Sequence, residues 1–277
     1  MWQFDFHIYY QGGRAVLAGL SPYAVDGFFH PYLMAVLWAP LALLPEPVAY
    51  WVYIAGCVGL LWRATRWRGV WALISFPVLF GLFVGQVDLP MALGIAWGGP
   101  WILPAALARP QLGFVVAPWV LRQSGWRGLG KAALSGAALL LVCFLLRPNW
   151  VSEWRAAVPT LVEYSRHDSN LYWLISRSVK DQFVLSLSAL VLLAGFAMRQ
   201  RRDSWAVLHL LTPVTNVYSA SVLAEWIGPL EVALSWAAIF FVGGQIHNGA
   251  PMFGVGLAIL VYAGLEAYRA KLAPRGK

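Results

Sequence analysis

Charge is what this sequence has least of. Its 277 residues include 20 Lys and Arg but only 12 Asp and Glu, so charged side chains make up 12% against 60% hydrophobic ones. A soluble globular domain carries about 25% charged residues and about 45–50% apolar ones. So little charge cannot cover an aqueous surface, and a water-soluble fold is excluded; mean hydropathy is +0.64. Cysteine is nearly absent. Cys57 and Cys143 lie inside apolar runs, which predicts two reduced thiols and neither a disulfide nor a metal site. The sequence has no Gly-rich nucleotide loop, no His-Glu-x-x-His, no Cys-x-x-Cys and no Gly-x-Ser-x-Gly elbow. An Asp-x-Asp pair that would hold a divalent metal against a sugar nucleotide is also missing, which argues against a soluble nucleotide-sugar donor. Mixed residues, not a short basic leader, precede the first apolar run, so no cleavable signal peptide is expected. Repeats, low-complexity tracts and linkers are lacking, and 1–277 reads as one membrane domain.

Aromatics, glycine and proline are abundant. Sixteen Trp and eleven Tyr suit the headgroup level of a bilayer. Seventeen Pro and twenty-six Gly predict bent, short or interrupted helices. Apolar segments fall at 32–44, 48–62, 70–84, 87–99, 101–121, 129–146, 182–198, 204–222, 226–242 and 252–268. The expected fold class is an all-α integral membrane protein, a multi-span helical bundle of about 9–10 apolar segments, several shorter than the ~20 residues of a perpendicular span.

The net charge of +8 is concentrated in short loops. Arg63 to Arg68, Arg122 to Lys131, Arg199 to Arg202 and the tail after Arg269 are basic, as cytoplasmic loops are. Contacts with membrane lipids account for such charge, and no nucleic acid partner is expected. Loop 147–181 mixes both signs, so residues 1–30 and 147–181 are expected together on the extracytoplasmic face. Full crossings by every apolar run cannot satisfy all four basic loops; 32–44 and 87–121 are where the count is in question.

Polar chemistry gathers in the first 44 residues. Asp5, His7, Tyr9, Tyr10, Arg14, His30 and Tyr32 stand just before or between apolar runs, and ionisable groups at a membrane edge point to a functional site. A helix is predicted over Phe6 to Ala18, with Asp5 as N-cap, Gly19 as stop and Ser21-Pro22 turning the chain away. Gly12-Gly13 weakens that helix but permits close backbone approach.

The ordered series Asp5-Phe6-x-x-Tyr9-Tyr10, Gly19-x-Ser21-Pro22-Tyr23, Phe29-His30-Pro31-Tyr32, Ala39-Pro40-Leu41, Gly85-Gln86-Val87-Asp88, Arg109-Pro110-Gln111-Leu112-Gly113 and Asn170-Leu171-Tyr172 resembles the membrane glycosyltransferases of the C superfamily. It is most similar to the polyprenyl-phosphate-mannose-dependent mannosyltransferases, glycosyltransferase family 87. The resemblance runs from about Asp5 to Tyr218. It departs where the usual Tyr-Pro-Pro is His30-Pro31-Tyr32 and the usual Lys-Pro is Arg109-Pro110. Family members carry a transmembrane helix ahead of the Asp motif, and here four residues precede it, as in a shortened member.

The resemblance implies a multi-pass cell-membrane enzyme with its site on the extracytoplasmic face. It would move a hexose, mannose in that family, from a polyprenyl-phosphate donor to a lipid or glycan acceptor, by inversion and without cofactor or metal. A lipid phosphate leaves as a stable anion, so fixed cations suffice for it. The attacking hydroxyl needs a base within about 2.6–3.2 Å. Asp5 is the implied base, alongside its other reading as a helix cap. Arg109, Arg14 and His30 are candidates for the donor phosphate. Arg109 interrupts an apolar run and requires a partner, for which Asp88 is the ion-pair candidate; snorkelling is the other reading. His7, Tyr9, Tyr32, His167 and Asn170 are candidate substrate or loop contacts. The alternative is a transporter or non-catalytic scaffold. A transporter would place ionisable groups at the bilayer midplane between repeats, and no repeat is seen.

Overall fold

A computed structural model describes residues 4–165 and 223–241 of the chain. Those residues are helical and turn-forming, with no strand among them. Two stretches, Glu46–Ile74 and Val116–Leu146, are long and apolar enough to cross a membrane. A third candidate is a bent pair, Phe76–Val84 with Asp88–Trp101.

Helix α1 spans Phe4–Leu17. Asp5 lies in its first turn and Arg14 in its last, the arrangement that suits the helix dipole. Gly19 stops it at φ +68, where the Leu20 amide donates back to the Ala15 carbonyl and Gly19 to Val16. This pair of bonds is the Schellman closure, which a residue without Cβ adopts at least cost. Asp5 thus sits inside the first turn rather than at the expected N-cap. Gly12 and Gly13 provide the close approach: a Cβ would meet the Phe28 ring at 2.6 Å in one case and the Trp38 backbone at 2.9 Å in the other.

The 32–44 segment, one of the two places where the span count was in question, is not a crossing. Helix α2 covers only Tyr32–Trp38, roughly 10 Å of rise. Pro40 has no N–H to continue the ladder, and a 3₁₀ turn, Leu41–Leu43, follows it. Helix α3, Glu46–Thr65, then runs about 30 Å. A basic turn at Arg66–Arg68 leads into α4, Gly69–Ile74.

Helices α5, Phe76–Val84, and α6, Asp88–Gly98, meet at a bend of 103°. Gly85 makes the bend at φ +83, and a Cβ there would come within 2.3 Å of that of Phe6. Tyr50 and Tyr53 of α3 hold the tip of this pair, donating to the carbonyls of Phe83 and Gln86. Its far end returns to Arg63, whose guanidinium lies 5.6 Å from the Trp97 ring. The tip of the pair therefore lies about 15 Å back along α3 from its far end, which reaches Arg63, and the pair is bent as a broken span or a re-entrant loop is.

A second excursion follows. Pro100 would touch a Cβ on Gly128 at 3.1 Å, and the Lys131 ammonium lies 5.9 Å from the Trp101 ring. Between these two contacts the chain rises through the 3₁₀ segment Leu103–Ala108 to Arg109 and returns along α7, Pro110–Leu146. Gly125 interrupts α7 at φ 57, ψ −158, inside the basic Arg122–Lys131 stretch. Helix α8, Trp150–Ser165, then packs against the loop after α1. Ser21 donates to Glu153 at 2.5 Å, Arg147 pairs with Glu153 at 2.8 Å, and the Trp154 indole donates to Phe29 O at 3.1 Å. The two regions expected to share a face are thus in direct contact. Helix α9, Pro229–Phe241, closes on α4 and α5, with the Trp236 indole donating to Ile74 O at 2.9 Å. Cys57 and Cys143 are buried and free. The expected spans at 182–198, 204–222 and 252–268 lie outside the described residues.

Candidate functional site

The tips of the two excursions meet under the first turns of α1. Asp88, at the start of α6, and Arg109, just before α7, form an ion pair with side chains 4% and 5% exposed. The Arg109 Nε donates to Asp88 Oδ1, and a guanidinium nitrogen lies 3.5 Å from Oδ2. Removing one partner of so buried an ion pair costs about 3–5 kcal/mol, because it strands the other away from water. Asp88 is therefore the partner that an arginine in an apolar run requires.

From that pair a line of polar groups leads back to Asp5. The second guanidinium arm of Arg109 donates to the Tyr9 hydroxyl at 3.3 Å. Tyr9 donates to the Gln86 side-chain oxygen at 3.3 Å, and the Gln86 amide nitrogen donates to Asp5 Oδ2. Gln86 is fixed from behind as well, since its backbone carbonyl accepts from Tyr53. Tyr9 is 2% exposed, Gln86 4%, and Asp5 half-buried. Among the described residues, the second carboxylate oxygen of Asp5 carries no hydrogen bond. Burial pushes the Asp5 carboxyl above its usual range; the Gln86 bond and the Arg109 charge pull it back, and the Asp88 charge adds to the rise. Burial likewise raises the Tyr9 phenol, which keeps its proton.

His30 stands beside this line. Its ring lies 5.1 Å from that of Tyr9 and 5.8 Å from that of Phe28. Burial, with the Arg109 charge behind it, lowers its pKa to about 3. The imidazole is neutral at physiological pH, so His30 stands in the aromatic cluster as a neutral ring with one N–H to donate. Arg14 lies apart from this line. It is exposed in the last turn of α1, about 13 Å of helix rise from Asp5, and is not brought to the line. Arg109 is brought there, but as the buried partner of Asp88.

His7 projects outward and bonds Glu46 at 2.7 Å. Tyr32 is buried against Trp150, their rings 6.5 Å apart, in the contact between α2 and α8 rather than near Asp5. His167 and Asn170 lie outside the described residues. Gln86 is the functional group that residue type alone does not signal: a neutral amide shows nothing until its neighbours are known, although Gly85 before it and Asp88 after it mark the turn. An apolar cavity of about 660 Å³ opens beside the Arg109 segment, lined by Leu103, Ala106, Leu107, Gly113, Gly136 and Leu140 among others.

The described fold and site define an all-helical protein with at least two helices able to cross a membrane and a buried polar line at its centre. Comparison with protein-family models, curated proteins and solved structures finds no match to this chain.

Proposed function

We propose that this protein is a multi-pass membrane glycosyltransferase of the C type, working at the extracytoplasmic face. It transfers a hexose, mannose in the family it resembles, from a polyprenyl-phosphate donor to a lipid or glycan acceptor. Asp5 takes the proton of the acceptor hydroxyl as that oxygen bonds to the anomeric carbon. The bond from that carbon to the phosphate oxygen breaks on the opposite side, and polyprenyl phosphate leaves. The observation that carries this reading is the state of Asp5: a half-buried carboxylate with a raised pKa, one oxygen bonded and the other open. A general base works best with a pKa lifted toward the operating pH. The apolar cavity beside Arg109 supports the reading further, since an isoprenoid tail needs such a surface. In this scheme Arg109 acts as a fixed positive charge behind Tyr9, not as a ligand exchanging with the donor phosphate.

One observation favours a second reading, a non-catalytic membrane scaffold. Asp88, Arg109, Tyr9 and Gln86 satisfy one another, as a purely structural polar core does. Transfer from polyprenyl-phosphate-mannose by the purified protein decides between them. The Asp5→Asn variant is expected to lose about 10²–10⁴-fold in turnover, the usual contribution of a general base. Equal turnover removes Asp5 from the chemistry, and no transfer by the unaltered protein leaves the scaffold.

A further inference from the structure

We infer that Tyr9 and Gln86 form a one-way hydrogen-bond relay that fixes Asp5 as an acceptor, making both of them positioning residues for that carboxylate. As a statement about catalysis, the inference rests on Asp5 being the base proposed above.

The direction follows from which groups can donate. A guanidinium has donors only, so at the 3.3 Å contact with Arg109 the Tyr9 oxygen must accept. A phenol has one proton, and the Tyr9 proton goes to its other partner, the Gln86 side-chain oxygen. An amide whose oxygen is taken must present its NH₂ group at the other side, and that side faces Asp5. Each step fixes the next. The order is Asp88 accepting from Arg109, Arg109 donating to Tyr9, Tyr9 to Gln86 and Gln86 to Asp5.

A protonated Asp5 does not fit this order at its bonded oxygen. To donate to Gln86 it would need the amide oxygen facing it, and the amide would have to turn over. Turning the amide puts NH₂ against Tyr9 and displaces the Tyr9 proton from its only partner in the line. The relay therefore favours the ionised carboxylate over the neutral acid, and it opposes the burial that favours the neutral form. It also holds Oδ2 in one place, so that Oδ1 has a defined direction toward an acceptor.

The other groups around Asp5 leave this assignment intact. Asp88 of α6 is neutralised by Arg109, and Glu46 of α3 is held by His7. Tyr53 of α3 donates to the Gln86 backbone and so steadies the amide without turning it. His30, beside the Tyr9 ring, is uncharged at neutral pH. The turn Leu41–Leu43 carries no titratable side chain, and on α2 only the Tyr32 phenol titrates; it stacks on Trp150.

The test uses Tyr9→Phe, which keeps the buried ring, and Gln86→Met, which keeps the length of the side chain. Two readouts are compared with the unaltered protein: the pH profile of kcat/KM for transfer from polyprenyl-phosphate-mannose, and the infrared carbonyl band of protonated Asp5, identified by its loss in Asp5→Asn. The acid limb and the infrared midpoint are expected to move up together by about one pH unit in each variant. The double variant is expected to move no further than Gln86→Met alone, because both act through one amide. If Asp5→Asn loses transfer while neither limb nor midpoint moves in Tyr9→Phe, the relay is wrong and the base assignment stands. If Asp5→Asn transfers normally, the base assignment fails. The infrared midpoint then judges the relay alone: a rise in Tyr9→Phe upholds it and an unmoved midpoint overturns it.

Discussion

At the scale of single residues, burial decides which of the polar groups near the amino terminus are charged. Arg109 is paired in its burial with Asp88, whereas His30 is buried among aromatic rings with the Arg109 charge behind it and gives its proton up. That difference has a measurable consequence for stability. The His30 pKa is lowered from 6.5 to about 3, so between those values the unfolded chain binds a proton that the folded chain refuses. Stability contributed by neutral His30 is complete above the upper value and is lost as pH falls toward the lower one. The melting temperature in detergent is expected to drop over that window, and His30→Phe is expected to flatten the drop. A profile of unchanged steepness in the variant means that other groups govern it. The pairing of Arg109 was legible in the sequence, because an arginine inside an apolar run requires a counter-charge and Asp88 was the nearest one across a Gly-containing turn. The neutrality of His30 was not legible, since it depends on rings that other segments deliver. The separation of Arg14 from Asp5 follows from the helix itself, since nine residues of α1 place the two at opposite ends.

At the scale of elements, the turns decide more than the apolar runs do. Helix α1 was readable from Asp5 at its start and Gly19 at its stop, and its observed bounds, Phe4–Leu17, lie within two residues of the sequence expectation. The 32–44 run was already in question as a span, because it is short and holds Pro40, and its helix ends after two turns at Trp38. That the helices around 76–98 are short and interrupted was readable from their prolines and glycines, but the place and angle of the bend between α5 and α6 were not. They depend on Gly85 at φ +83 and on two tyrosine hydroxyls of α3 that capture the carbonyls of the tip. Gly85 is therefore the most sensitive backbone position near the site. A Cβ there meets Phe6 at 2.3 Å and also forces a non-glycine residue into the left-handed region. Gly85→Ala is expected to cost about 2 kcal/mol or more and to lift α1 away from Gln86. Thermal melts and the infrared band of Asp5 would register both effects, and a melting temperature within error of the parent would contradict the close packing described here.

At the scale of the whole molecule, the two bent segments bear on which side the basic loops occupy. If 76–101 and 101–124 both turn back, the Arg63–Arg68 and Arg122–Lys131 stretches lie at the same edge, and α7 leaves that edge toward Arg147. From Lys131 to Arg147 the rise is about 24 Å, close to the thickness of a hydrocarbon core. Single cysteines can test this, because Cys57 and Cys143 are buried and contribute little background. Trp67→Cys and Trp126→Cys replace side chains 77% and 87% exposed. Both are expected to react with an impermeant maleimide from the cytoplasmic side, and Ser152→Cys only from the other. Labelling of all three from one side would rule out the arrangement. The junction of the two tips also ties the excursions together. Asp88 and Arg109 are separated by twenty-one residues and belong to different excursions. The tip of the first excursion therefore gains its counter-ion only when the second is in place, so neither tip is electrostatically complete without the other.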